Sequence, residues 1–295
     1  MTKLNLQGCG TALVTPFKIT DVDFQAFRAL VKRQVRCGVD FLVPLGTTGE
    51  TPCLNNQERI EILKIAKEEC GGKPVIVGGG TNSLQDTISA MKVLEPYGPD
   101  AFLIVVPYYN KPTQEGQYQY FKAVAAATKK PVIIYNVPGR TGVNMLPETV
   151  LRLAKDVPNI IAIKEASGNY DQVSAILREA PEGFQVLSGD DDMTLAFMAT
   201  GAAGVISVAS NIAPKEVANM THRILAGDLE NARKLHHRLW PLFKACFVES
   251  NPVPAKAALK TLGLCRNELR LPLVPATKET EKLMDRVIKD LKVDY

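Results

Sequence analysis

At 295 residues, with 46% hydrophobic residues, a formal charge of +4 and a mean hydropathy of −0.01, the chain has the make-up of an ordinary soluble globular protein. That length can bury one large core, or a core with an appendage. The charge is too small and too dispersed to suggest nucleic acid or an anionic membrane as partner, and no apolar run approaches the roughly 18 residues of a transmembrane span. The amino terminus, MTKLNLQGCGTALVTPF, lacks the sustained apolar stretch of a secretory leader. Six cysteines (Cys9, Cys37, Cys53, Cys70, Cys246, Cys265) never fall as C-x-x-C, a pattern that predicts reduced thiols and a cytoplasmic location.

In chain order, eight β-rich runs alternate with polar turns and helical patterns: residues 11–15, 41–45, 74–77, 101–106, 132–135, 160–163, 184–187 and 204–208. The interval LNNQERIEILKIAKEEC carries Ile60, Leu63 and Lys67 at helical spacing beside Ile62 and Ala66. Asn55 or Asn56 suits its N-cap, and Gly71-Gly72 its stop. Strands at βαβ spacing predict a parallel sheet covered on both faces. Eight strands also close a (β/α)8 TIM barrel, and the count favours that α/β fold over a doubly wound sheet, which periodicity alone leaves open. Beyond about residue 213 only helical patterns follow. The chain therefore divides into a barrel domain, residues 1–225, and a C-terminal helical extension, residues 226–295.

Enzymes of the barrel fold gather their chemistry at the C-terminal ends of the strands. Here the second strand runs into PLGTTGE, with Thr47 and Thr48, and the fourth into VVPYYNKP, with Tyr108 and Tyr109. The fifth runs into IIYNVPGRTG, with Tyr135 and Arg140; the sixth ends on Lys164, and the eighth passes Ile206 and Ser207. Strand alternation puts Ala162 and Lys164 on one face, Ile161 and Ile163 on the other. If the isoleucines meet helices, the amine points into the barrel, where burial penalises an ammonium and favours a neutral nucleophile. The alternative is a lysine that snorkels outward or pairs with Glu165.

The neighbouring strand ends carry similar pairs of readings. Tyr135 shares the parity of Ile133 and could shuttle protons beside an amine, or serve as a core tyrosine. GTTG offers two hydroxyls in a glycine-flanked turn suited to a small carboxylate, or a turn that caps itself. Arg140 offers a guanidinium for a second carboxylate, or a solvated cation. Tyr108-Tyr109 can equally cap an apolar layer. Sharper chemistries find less support: His222, His236 and His237 all lie beyond the last strand, so no metal site is expected at the strand ends. Asp190, Asp191 and Asp192 are explained by a helix starting there. No G-x-G-x-x-G, P-loop or G-x-S-x-G occurs.

Taken in order at consecutive strand ends, GTTGE, PYYNKP, YNVPGRTG and IKEASGN closely resemble the dihydrodipicolinate synthases, within the pyruvate-dependent class I aldolases. The resemblance implies that Lys164 forms a Schiff base with pyruvate, a covalently bound substrate, with no cofactor. It implies that Thr47 and Thr48 hold the pyruvate carboxylate, with Thr47 relaying protons between Tyr135 and Tyr109. The residue matching Tyr109 comes from a neighbouring subunit in such proteins, which implies a dimer at minimum and usually a homotetramer. The carbonyl matching Ile206 approaches the lysine, and Arg140 receives the carboxylate of aspartate 4-semialdehyde. The expected reaction condenses these two substrates on the diaminopimelate and lysine route.

Members inhibited by lysine use a pocket between subunits, near ETPCLNNQER and TNSLQD in this sequence. Tyr108 and Asn82 fit that pattern, whereas Asn56, Arg59 and Asp86 stand where histidine or glutamate is common. A cation at Arg59 would oppose a cationic effector, so weak lysine inhibition is expected. The close rival is an N-acetylneuraminate lyase or keto-deoxy sugar acid aldolase, members that generally lack the arginine of GRTG. More distant rivals are a barrel holding pyridoxal phosphate on Lys164, which needs a phosphate cradle the sequence does not offer, and a non-catalytic binding barrel.

Overall fold

The computed structural model describes residues 4–292. Its strands are β1 (Gly8–Ala12), β2 (Phe41–Val43), β3 (Ile76–Gly78), β4 (Ala101–Val105), β5 (Val132–Asn136), β6 (Ile160–Glu165), β7 (Gln185–Ser188) and β8 (Gly204–Ser207). All pair in parallel in the order β2-β1-β8-β7-β6-β5-β4-β3. The bridge Leu42↔Val75 and the bond from the Leu42 N–H to the Pro74 carbonyl, 2.9 Å, join the two edge strands. The sheet is thus a closed (β/α)8 barrel, with no edge left to pair elsewhere.

Strand alternation sorts the apolar residues into two cores. Phe41, Val43, Ile76, Leu103, Ile133 and Leu187 fill the barrel interior, while Leu42, Val77, Phe102, Ile104, Ile134 and Ile163 pack outward against the helices. Each outward residue is fully buried, worth roughly 1.5–3 kcal/mol apiece relative to exposure. Gly10 faces inward: a Cβ there would lie 1.9 Å from the Phe41 ring, so the glycine makes room for the phenylalanine.

Three local readings need correction. The first strand begins at Gly8 rather than residue 11, because its glycines mask the apolar pattern. Leu13 still donates its N–H to the Val43 carbonyl at 3.1 Å; past it the chain leaves the ladder, and the Val14 N–H donates to Asn211 Oδ1 instead. A hairpin of Phe17–Lys18 and Asp21–Val22, too short to announce itself, closes the barrel's first loop. In β6 the register slips so that Ile160 faces Val132 but Ala162 faces Ile133. Ile161 is the extra residue of that bulge, and it packs with the interior cluster instead of sharing the outer face with Ile163.

Helix Asn56–Glu69 starts from a capping box in which Asn55 and Glu58 exchange bonds with each other's N–H. After β8 every regular element among the described residues is helical: Pro214–Leu225, Leu229–Ala245, Val253–Thr261 and Lys278–Leu291, besides the 3-10 turn Ala209–Asn211. Leu229–Ala245 packs on Pro214–Leu225 and on Lys278–Leu291, which in turn packs on Val253–Thr261. Leu239, Phe243 and Leu259 belong to the same outer core as the barrel helices. No helix among the described residues is long and apolar enough to cross a membrane.

Candidate active site

Lys164 is the penultimate residue of β6, only 5% exposed, and its neighbours across the sheet are Tyr135 and Leu187. Its Nζ stands 4.3 Å from the centroid of the Tyr135 ring. Alternation past the bulge turns Glu165 the other way. That carboxylate is buried among Asn136 Nδ2, the Ser167 N–H and Gln172 Nε2, with no ion pair to Lys164. Burial raises its affinity for a proton. The snorkelling and ion-paired readings of Lys164 both fail: the amine faces the barrel mouth.

The cavity above it, about 730 Å³, is lined by Thr47, Thr48, Tyr135, Arg140, Lys164 and Ile206, among others. Six residues chosen from strand ends therefore meet in one place. Thr47 and Thr48 open the tight turn Thr47–Gly49, which Gly49 and Glu50 close by donating N–H to Gly46 and Thr47 carbonyls at 3.0 and 3.1 Å. Thr48 Oγ1 is held at 2.9 Å by Asn251 Nδ2. Arg140 lies on the short helix Pro138–Thr141, and its Nη2 donates to the Asn251 carbonyl at 3.3 Å.

Among the lining residues that escaped the sequence reading, Asn251 and Asp190 bear most on the chemistry. Asn251, from the C-terminal extension, links Thr48 to Arg140, and its Oδ1 is buried without a partner. Asp190 follows β7, and burial pushes its carboxyl up to about 6, with the Lys164 charge pulling the other way. A strand-end inventory that included the seventh strand would have found Asp190; nothing at a strand end points to Asn251. A helical turn does start at Asp191, yet its acids are not simply helix-start charges. Buried Asp191 accepts the Val208 and Ala209 N–H groups, both at 3.0 Å, and so fixes the chain leaving β8. Asp192 instead pairs with Lys244 at 3.1 Å.

Tyr109 stands apart from this cavity. It is 87% exposed at φ +69, beside a shallow outer hollow shared with Tyr108, Lys111 and Arg140. Of the effector candidates, Arg59 and Tyr108 line a second cavity of about 430 Å³ together with Thr51, Pro52 and Gly80. Arg59 Nη2 donates to the Thr51 carbonyl at 3.0 Å, and its Nε is buried without a partner. Asn56, Asn82 and Asp86 do not line that cavity; the Asn82 carbonyl accepts from Asn110 Nδ2, and Asn56 and Asp86 lie exposed. Arg140 borders all three hollows. Among the described residues no group of three or more His, Cys, Asp or Glu could hold a metal ion.

A barrel whose mouth carries a buried amine among a phenol, hydroxyls and a guanidinium is an enzyme of the (β/α)8 class, with its cavity where that fold places catalysis. Comparison with known proteins narrows the class. The chain belongs to the dihydrodipicolinate synthetase family, whose model matches residues 5–291. It is 48% identical to the 4-hydroxy-tetrahydrodipicolinate synthase of Thermosipho melanesiensis over 97% of this chain and 99% of that protein. It is 49% identical to that of Thermotoga neapolitana over 96% and 98%. The crystal structure of dihydrodipicolinate synthase from Thermotoga maritima superposes with a TM-score of 0.96 at 46% identity, covering 98% of this chain and 99% of the other. A structure described as the first monomeric dihydrodipicolinate synthase variant matches with the same TM-score and identity, over 98% and 97%.

Proposed function

We propose that this lyase performs the reaction for which its relatives are named: pyruvate condenses with L-aspartate 4-semialdehyde to give 4-hydroxy-tetrahydrodipicolinate, on the diaminopimelate and lysine pathway. The observation that carries the residue assignment is the near-complete burial of Lys164 beside Tyr135, in one cavity with Thr47, Thr48 and Arg140. Lys164 Nζ adds to the keto carbon of pyruvate, and the carbinolamine loses water to become an imine. Tyr135 moves the protons of both steps, with Thr47 and Tyr109 completing the relay. The Thr47 and Thr48 hydroxyls hold the pyruvate carboxylate, and by the family resemblance the Ile206 carbonyl approaches the lysine, with which it lines one cavity.

Loss of a methyl proton from the imine gives an enamine, whose carbon attacks the aldehyde of the second substrate. The amine of that substrate then adds to the imine carbon and expels Lys164, closing the ring and regenerating the enzyme. Pyruvate is bound covalently as substrate, and the sequence of steps requires no metal or other cofactor. Arg140 receives the carboxylate of the semialdehyde in bidentate fashion. Ionised Asp190 and the unpartnered Asn251 Oδ1 suit its ammonium group, since both line the same cavity as Arg140. A keto-deoxy sugar acid carries no ammonium group for these two acceptors to meet.

Tyr109, solvent-facing on a left-handed backbone, fits a residue contributed across an interface, so the working assembly is at least a dimer and, by the family resemblance, a homotetramer acting in the cytoplasm. Arg59 and Tyr108 are the nearest parts of any effector site, with Asn56, Asn82 and Asp86 farther out. Borohydride reduction in the presence of pyruvate, followed by peptide mass mapping, tests the mechanism. Reduced pyruvate should be found on Lys164, and an active protein with Lys164 unmodified would refute the assignment.

A further inference from the structure

Lys256, on helix Val253–Thr261, and Glu50, which ends the Thr47–Gly49 turn, form an ion pair whose side chains are 0% and 1% exposed. Both partners are fully engaged. Lys256 Nζ also donates to the Glu268 carbonyl at 2.8 Å and lies 4.0 Å from the Phe17 ring centroid. The second oxygen of Glu50 accepts the Arg270 N–H at 3.1 Å. The backbone of Glu50 sits at φ +53, left-handed, where the turns Thr47–Gly49 and Thr51–Cys53 meet. A non-glycine residue holds that conformation only when its surroundings dictate it.

Other bonds fasten this turn within the barrel: Thr15 Oγ1 to the Gly49 carbonyl at 2.8 Å, and Thr51 Oγ1 to the Gly46 carbonyl at 2.9 Å. Glu50 and Thr48 are gripped from more than 200 residues away in sequence, by Lys256 and Asn251. Removing two charges from water repays little net stability compared with apolar packing. A buried pair at this junction therefore makes more sense as geometry than as glue.

We propose that Glu50 and Lys256 are positioning residues for the keto-acid carboxylate. By fixing the left-handed junction from the C-terminal extension, they set the directions of the Thr47 and Thr48 hydroxyls and so the affinity for the first substrate. This rests on the reading of those threonines as carboxylate ligands.

The test measures how borohydride trapping at Lys164 depends on pyruvate in the unaltered protein, in Glu50→Gln/Lys256→Met and in Glu50→Asp. The double variant leaves no unpaired charge buried. The aspartate keeps the charge but withdraws it by one methylene, so the two variants perturb the junction in different ways. Half-saturating pyruvate should rise about tenfold or more in each, with trapping at saturation unchanged, as expected when only binding geometry is lost. A pair that merely ties the extension to the barrel would lower the melting temperature and leave half-saturation where it was; that result in either folded variant overturns the proposal. Absence of trapping in the unaltered protein would instead strike the reading of Lys164, and the steady-state KM for pyruvate would then read the pair in its place.

Discussion

At the scale of single residues, the proposed mechanism separates two carboxylates by the kind of group that meets each. In it hydroxyls serve the substrate held covalently, and a guanidinium serves the one that arrives second. Arg140→Ala should therefore lower kcat/KM for the semialdehyde by about 100-fold while leaving borohydride trapping of pyruvate nearly intact, the signature of a lost bidentate contact. Equal damage to both would remove Arg140 from its role. Asp190 makes a claim about pH. Between 3.8 and about 6 its folded carboxyl keeps a proton that a solvated one would release. Its contribution to stability is thus fullest at low pH and declines as pH climbs through that window. Its ability to meet an ammonium runs the opposite way, so kcat/KM for the semialdehyde should rise through about pH 6, and Asp190→Asn should flatten that limb. Lys164, Tyr135, Thr47, Thr48, Arg140 and Ile206 were legible because each stands at or beside a strand end. Asp190 was hidden by two acidic neighbours that made all three look like one helix start.

At the scale of elements, alternation is what converts sequence into a site. Ala162 to Lys164 spans two residues on one face, and the bulge at Ile161 lies below them, so the slip alters what fills the barrel but not where the amine points. The same alternation placed seven of the eight strands closely. It failed for the first, where Gly8 and Gly10 have no side chains to alternate, and it could say nothing of a hairpin with two residues per strand. Phe102 faces the outer core and is fully buried, so Phe102→Ala should cost about 3–5 kcal/mol in a denaturation experiment. Lys256→Met should cost about as much, because it strands the Glu50 carboxylate without its partner; Glu50→Gln/Lys256→Met should recover most of that loss. Should the double variant prove no more stable than the single, the unpaired charge was not what the single variant suffered from.

At the scale of the whole molecule, the barrel was readable from eight strands and their spacing, whereas the part played by the extension was not. Asn251 from a turn, Lys256 from helix Val253–Thr261 and Arg270 from an irregular stretch reach the Thr47–Glu50 turn, and the sequence of that region announces only helical packing. Assembly offers a direct test of Tyr109. If it completes a neighbouring site, mixing inactive Lys164→Ala and Tyr109→Phe proteins under exchanging conditions should restore about one quarter of normal activity, through mixed dimers with one intact site each. No recovery would place Tyr109 outside the chemistry or in its own subunit's site. Lysine inhibition is a second whole-molecule readout: a guanidinium at Arg59 in the second cavity should keep inhibition weak, and strong inhibition at modest lysine concentrations in an initial-rate assay would contradict that.

The span between Glu50 and Lys256 also has a consequence for biosynthesis. A chain made N-terminus first carries the GTTGE turn about 200 residues ahead of Asn251 and Lys256. Until residues 251–270 emerge, Glu50 has neither its ammonium nor its amide partner and stays hydrated. The strands can fold and pair while the carboxylate pocket is still shapeless. On the proposed role of Thr47 and Thr48, competence to bind a keto acid is among the last properties the nascent protein acquires, and it arrives with a segment that contributes no strand among the described residues.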